Sequence, residues 1–176
     1  MKVKMESYSI PKEGVNMIKK LILVLSMCLL LGCNRQSATS DNGDTNRVLN
    51  AEKVSSQLLR KLGIEDQMEQ VRKKVIDNVF FQGEDLTDDK SAYLAIDKGN
   101  SNTIAVFVAD EDTSVDVLRE KLLVYLNNQK VTIEYNYPTE VFKISNAVIE
   151  DNGRVVVLVI SDIIEDARKY VDEILK

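Results

Sequence analysis

The stretch Val155–Ile160 is a run of six consecutive apolar residues, VVVLVI, and it constrains the fold more than any other part of the chain. A strand with one face in water alternates apolar and polar residues, whereas a strand buried on both faces does not. We therefore expect Val155–Ile160 to be a strand with both faces covered. A similar run, IAVFV at 104–108, lies earlier in the chain.

Each apolar run ends a predicted hairpin and is followed by an acidic turn and a helical pattern. The first hairpin joins strands at 92–97 and 103–109 through a Gly/Asn loop, and the second joins 143–150 to 154–161 through Asp151-Asn152-Gly153. Helices follow from Val115 and over 163–175. The fold class is therefore α+β: two strand-strand-helix units form a four-stranded, mainly antiparallel sheet, with both of these helices on one face.

Two helices are predicted ahead of the sheet. Apolar residues recur at helical spacing over 48–62, which Gly63 ends as a C-cap glycine, and again over 64–80. These helices, or a partner, should cover the second face of the sheet. Residues 129–142 fit neither pattern, because an alternating stretch of the kind seen in strands is followed by Pro138, which a central strand does not tolerate.

The segment Met17–Cys33 has a lysine-containing start, an apolar core and a terminal cysteine, as in a secretory signal. It is too short for a permanent membrane helix, which needs about 20 apolar residues. Leu30-Leu31-Gly32-Cys33 resembles the bacterial lipobox, which implies cleavage between Gly32 and Cys33 and a diacylglyceryl group on the Cys33 thiol. The alternatives are an ordinary signal that happens to end in cysteine and an uncleaved interfacial anchor.

These signals divide the chain into three parts. Residues 1–32 are a leader and lipoprotein signal peptide, residues 33–47 are the lipidated cysteine and a flexible polar tether, and residues 48–176 are a single α+β domain. Translation could start at Met17, since the signal is complete without residues 1–16. The expected location is the outer face of the cell membrane.

Composition excludes several classes of function. The chain has 23 basic and 28 acidic residues, of which residues 1–32 hold five and two, so the mature part carries a net charge of −8. That charge argues against a nucleic-acid partner. The chain contains no histidine, and its two cysteines lie in the signal and at its end. We therefore expect no metal, no cofactor and no catalytic residue of the common histidine- or cysteine-dependent types.

Acidic residues are the remaining source of chemistry. Four carboxylates over 84–89 lack the spacing of a calcium loop and are interpreted as a solvated turn. A cell-wall hydrolase would need a pair such as Asp85 with Asp110, or Asp112 with Asp162, about 5–9.5 Å apart in a cleft. This carboxylate-based hydrolase is one alternative function, and a ligand sensor with an apolar pocket is another.

The domain resembles a family of small lipoproteins of Gram-positive bacteria that carry a domain of unknown function. The resemblance covers roughly residues 64–175 and lies in Tyr93, Ile104-Ala105-Val106-Phe107, the helix with Val115, Leu118 and Leu122, Tyr137-Pro138, Asn146-Ala147-Val148-Ile149 and the strand over 153–159. It implies a lipobox and a fold, and for residues 129–142 a helix tail with a structured loop. It implies no activity and no catalytic residues.

The leading functional hypothesis is a membrane-anchored extracytoplasmic binding or assembly module. Its membrane contact is the diacylglyceryl anchor, and its expected partner is a cell-envelope protein or a wall component. Amphipathic aromatic residues are favoured at interfaces, so the candidate interaction surface holds Tyr125, Tyr135, Tyr137 and Phe142. The alternative interpretation is that these rings close the core over the edge of the sheet.

Overall fold

A computed structural model describes residues 49–111 and 113–176. The predicted leader, signal, Gly32, Cys33 and tether lie outside these residues, as does Asp112. The helices are α1 (Ala51–Leu62), α2 (Lys73–Phe80), α3 (Val115–Ile133), α4 (Glu140–Ser145) and α5 (Ile164–Leu175). The strands are β1 (Met68–Gln70), β2 (Thr87–Ala95), β3 (Thr103–Ala109), β4 (Val148–Asp151) and β5 (Val155–Ile160), and a 3-10 turn, Glu65–Gln67, precedes β1.

Within the described residues, the strands form one antiparallel sheet in the order β1-β2-β3-β5-β4. The two central strands, β3 and β5, pair from Thr103 with Ile160 to Val108 with Val155. Every residue of both strands is buried. The prediction that Val155–Ile160 is covered on both faces is therefore confirmed, and so is an antiparallel sheet in a mixed α/β domain.

The sheet lies between two helical layers. One face carries α1 and α5, which pack on the side chains of Ile104, Val106 and Val157. The opposite face carries α2, α3 and α4, which pack on Ala105, Phe107, Val156, Leu158 and Ile160. On this second face Phe80, Phe81 and Phe107 form edge-on and tilted ring contacts. Alternation along β3 and β5 thus divides the core into two apolar clusters.

The predicted helix over 64–80 is replaced by a turn, the edge strand β1 and the shorter helix α2, so the described sheet has five strands where four were expected. The physical reason is that one continuous helix could not place side chains in both apolar clusters, which lie on opposite faces of the sheet. Met68 is buried on the face of α1, whereas Ile76 and Phe80 are buried on the opposite face. The chain must therefore cross the edge of the sheet, and β1 makes that crossing by pairing with β2.

The expectation that both repeat helices share one face is wrong, because α3 and α5 lie on opposite faces. The central strands β3 and β5 are antiparallel, so a two-fold axis relating the two hairpins must be perpendicular to the sheet. Such an axis would keep both helices on the same face. The two strand-strand-helix units therefore have equivalent hairpins, but the helix that follows each hairpin packs on a different face of the sheet.

Residues 129–142 form the end of α3, a loop and the start of α4. The alternating stretch is helical as far as Ile133, which packs against the second cluster, and the Thr132 hydroxyl donates to the Asn128 carbonyl within the helix. Tyr137 and Pro138 lie in the loop. The helix tail and structured loop that the family resemblance implies are confirmed.

Candidate interaction surface

Exposed apolar side chains are concentrated on α3, α4 and the loop between them. Among the described residues, nine large apolar or aromatic side chains are exposed, and seven of the nine lie between residues 117 and 142. They are Val117, Leu123, Val124, Val131, Tyr135, Tyr137 and Phe142. Single exposed apolar residues are common on proteins, but a concentration in one helical hairpin is typical of an interaction site.

The sequence of α3 explains this exposure. The helix turns Leu118, Leu122 and Tyr125 toward the sheet, and these three residues are buried. Apolar residues also occupy its other faces, so Leu123 and Val131 remain 59 % and 62 % exposed. Helices α1 and α5, by contrast, have clearly amphipathic patterns and expose no large apolar side chain within their bounds. A helix whose apolar residues extend beyond its buried stripe offers apolar surface to a partner.

The four aromatic residues predicted for this surface are in different environments. Tyr125 is 7 % exposed, and its ring lies 4.6 Å from that of Phe80. Burial raises the pKa of its hydroxyl more than a hydrogen bond with Thr103 lowers it. Tyr125 therefore belongs to the core and is not part of the exposed surface. Tyr135, Tyr137 and Phe142 are 91 %, 45 % and 65 % exposed.

We define the outer α3–α4 surface by five residues, Val124, Val131, Tyr135, Tyr137 and Phe142. The loop that carries two of them is fixed against the hairpin loop between β2 and β3. The Tyr137 ring lies so close to Gly99 that a β-carbon there would be 2.7 Å from a ring carbon. Only glycine at this position leaves the ring where it lies.

A buried carboxylate anchors α4 to the same hairpin loop. Glu140 accepts hydrogen bonds from the backbone N–H and the hydroxyl of Ser101, both at 2.9 Å, and pairs with Lys143 at 3.0 Å. Lys143 also reaches Asn100 and Asn102. Burial alone would raise the pKa of Glu140, but these donors outweigh it and hold the pKa below 4.5. The polar cluster therefore sets the position of α4 and of the aromatic loop before it.

A groove of about 280 Å³ runs along β4, at the edge of the sheet. Leu123 and Leu126 of α3 line one side, and Arg168 of α5 lines the other. Arg119 reaches into the groove from α3 and donates to the Ile149 carbonyl at 3.3 Å and to Asp151 at 2.8 Å. We call this feature the β4 groove.

Of the two predicted carboxylate pairs, Asp85 with Asp110 lies wholly within the described residues. The Asp110 backbone N–H donates to the Leu86 carbonyl, which places Asp110 near Asp85 in the fold. The Asp85 carboxylate, however, is 82 % exposed and pairs with Lys90 at 3.1 Å. Asp162 is exposed and is approached by the Ser161 hydroxyl, and its proposed partner, Asp112, lies outside the described residues.

The acidic turn is occupied by ion pairs. Lys90 lies between Asp77 and Asp85, and its ammonium is 2.6 Å from Asp77 Oδ1. Burial lowers the pKa of Lys90, but the two carboxylates more than compensate and raise it above 10.5. Asp89 accepts from the Ala51 backbone N–H at the start of α1 and from Lys73. These carboxylates therefore hold helices in place.

The sequence pattern did not point to Glu140, Lys143 or Arg119. Glu140 and Lys143 anchor the outer α3–α4 surface, and Arg119 lies in the β4 groove. Glu140 and Lys143 are three residues apart, a spacing that indicates a helical ion pair. That signal could have located α4, but nothing in it shows that Ser101 completes the cluster. Among residues 49–111 and 113–176, no group of three or more acidic, histidine or cysteine side chains is placed to hold a metal ion. Nor is any helix in that part long and apolar enough to cross a bilayer.

Comparison with known proteins identifies a family for this chain but no activity. No curated protein and no solved structure matches the chain. Residues 60–161 match a family described as a domain of unknown function, DUF4358. The matched region runs from the end of α1 to just beyond β5 and includes both the outer α3–α4 surface and most of the β4 groove. The chain therefore belongs to the DUF4358 domain family.

Proposed function

We propose that this protein is a lipid-anchored extracytoplasmic lipoprotein, of the kind found in Gram-positive bacteria, whose folded domain is a binding or assembly module. The observation that carries the proposal is the outer α3–α4 surface. Burying apolar side chains contributes about 25 cal/mol per Å², so five exposed apolar and aromatic residues on one helical hairpin are a substantial driving force for docking.

The surface suits a protein partner. Its aromatic residues, Tyr135, Tyr137 and Phe142, offer large apolar contact areas, and tyrosine hydroxyls add hydrogen bonds. The Glu140 cluster holds α4 and its loop in place, which reduces the entropy lost on binding. The predicted lipobox and polar tether support a position of this domain next to the membrane, where a cell-envelope protein is the partner we propose.

Site-specific photo-crosslinking tests this proposal. A photoreactive side chain is introduced at Tyr135 or Phe142 of the full-length chain and, as matched controls, at Glu52 on α1 or Lys169 on α5, which are also exposed. We expect a discrete adduct from the first two positions, several-fold stronger than from the controls, and its loss when Val131→Ser is added. Equal labelling at all four positions, or adducts from the controls alone, would contradict the proposal.

A further inference from the structure

We propose that β4 is a self-association edge through which two copies of the domain pair. In this arrangement the β4 strands of two copies run antiparallel across a two-fold axis at Ile149 and join two five-stranded sheets into one. The proposal goes beyond the docking function above and does not rest on it, since it uses the β4 groove rather than the outer α3–α4 surface.

The backbone of β4 is oriented for such pairing. Asn152 donates to the Val155 carbonyl at the hairpin turn, and hydrogen-bonded pairs alternate along an antiparallel ladder. Glu150 and Val148 therefore bond to β5, and the backbone groups of Ile149 point away from it. The Arg119 guanidinium bonded to the Ile149 carbonyl confirms that direction. An outward N–H and an outward carbonyl on one residue are the groups a further strand requires.

The two sides of the groove differ in chemistry. On the α3 side, Leu123 is 59 % exposed beside Leu126 and Ile149. On the α5 side, Arg168 and Glu150 lie 3.9 Å apart, at the limit of an ion pair, with side chains 51 % and 39 % exposed. An occupant of the groove must therefore bury apolar side chains on one face and pair with charges on the other.

A second copy of the chain meets both requirements. With Ile149 opposite Ile149 of the second copy, the Ile149 and Leu123 side chains of both copies lie on the same face of the joined sheet. On the other face, two glutamates and two arginines come together, and each Arg168 can bridge the Glu150 residues of both copies. Such a set of charges is neutral and self-complementary, as a two-fold interface requires.

Within the described residues, pairing displaces one hydrogen bond of the Ile149 backbone. Arg119 leaves the Ile149 carbonyl, to which its bond is long at 3.3 Å, and keeps its shorter bond to Asp151 at 2.8 Å. An N–H of the second copy takes its place on the carbonyl. A pair of four-residue strands is small against the roughly 800 Å² per partner of a standard interface, so contacts from Leu123 and Arg168 must supply part of the stability.

Cysteine cross-linking in the full-length chain tests the pairing. Residues opposite each other in a hydrogen-bonded antiparallel pair have α-carbons about 5.5 Å apart, which lies within the range that a disulfide bridges. We expect Ile149→Cys to form a dimer of twice the monomer mass under mild oxidation in cells. The unsubstituted chain and Asn128→Cys, which lies on the side of α3 that faces Val79 and Phe80, should remain monomeric.

A second pair of variants separates the groove from general surface effects. Leu123→Glu places a charge in the groove, whereas Val117→Glu places the same charge on an exposed residue of the same helix that does not line the groove. In the Ile149→Cys background, Leu123→Glu should reduce the cross-linked fraction several-fold and Val117→Glu should leave it unchanged. The proposal is overturned by equal effects of the two, by no dimer from Ile149→Cys, or by an adduct whose mass shows a different protein at the edge.

Discussion

Replacing Glu140 by glutamine tests whether the buried polar cluster fixes α4. The side chain is 12 % exposed, accepts two hydrogen bonds from Ser101 and forms an ion pair with Lys143. Glutamine keeps an oxygen for Ser101 but loses the charge that Lys143 neutralises. Hydrogen bonds to a charged group contribute about 1.5–3 kcal/mol each, against about 1 kcal/mol for neutral ones. We therefore expect Glu140→Gln to lower the free energy of unfolding by about 1–2 kcal/mol at pH 7.

The pH dependence of this loss has a defined sign. The pKa of Glu140 in the folded state lies below its usual value of 4.5, so the folded state favours the ionised form. The stabilisation is complete above pH 4.5 and is lost as the pH falls through the lower folded-state pKa. The difference between the original chain and Glu140→Gln should therefore shrink below pH 4.5.

Urea unfolding followed by far-ultraviolet circular dichroism, at pH 7 and at a series of pH values below 4.5, measures both effects. Glu134→Gln, at the exposed end of α3, is the matched control and should change the free energy of unfolding by less than about 0.5 kcal/mol. The reasoning is refuted if Glu140→Gln is as stable as the control at pH 7, or if its deficit grows as the pH falls.

Two further substitutions test other parts of the fold. Lys90→Met leaves the Asp77 carboxylate, which is 19 % exposed, without its closest cation, and should lower the free energy of unfolding in urea by about 2 kcal/mol. Lys74→Met, at an exposed lysine, should lower it much less. Equal losses from the two variants would contradict the role of Lys90. Gly153→Ala should lower the free energy of unfolding by about 1 kcal/mol. The cause is the backbone, because φ is +89° in the hairpin turn while no atom lies within 4 Å of the added β-carbon. An unchanged urea midpoint would contradict this strain.

The parts of the fold that the sequence predicted are those with a strong local pattern. Val155–Ile160 lacks alternation, and it is buried on both faces. Asn152-Gly153 indicates a tight turn, and Gly153 has a positive φ there. The end of α1 at Gly63, also with positive φ, follows the same rule. In each case the residues that carry the signal are the residues that adopt the structure.

The parts that the sequence did not predict depend on contacts distant in the chain. The three residues of β1, Met-Glu-Gln, have no strand pattern, and they form a strand because β2 offers an edge. The apolar stripes of α3 and α5 show which side is buried but not which face of the sheet receives it. Tyr125 could not be told from Tyr135, although one is 7 % and the other 91 % exposed, because helix register relative to the sheet is set by tertiary packing.

The most direct test of the tethered-module proposal is the mass of the N-terminal peptide of the protein from the membrane fraction. The account predicts a mature chain that begins at Cys33 with a diacylglyceryl group on its sulfur. Cys33→Ala should leave the predicted signal uncleaved and the lipid absent, while Cys28→Ala, in the apolar core of that predicted signal, should be processed normally. A mature N-terminus elsewhere in the chain, or an unmodified Cys33, would contradict the account.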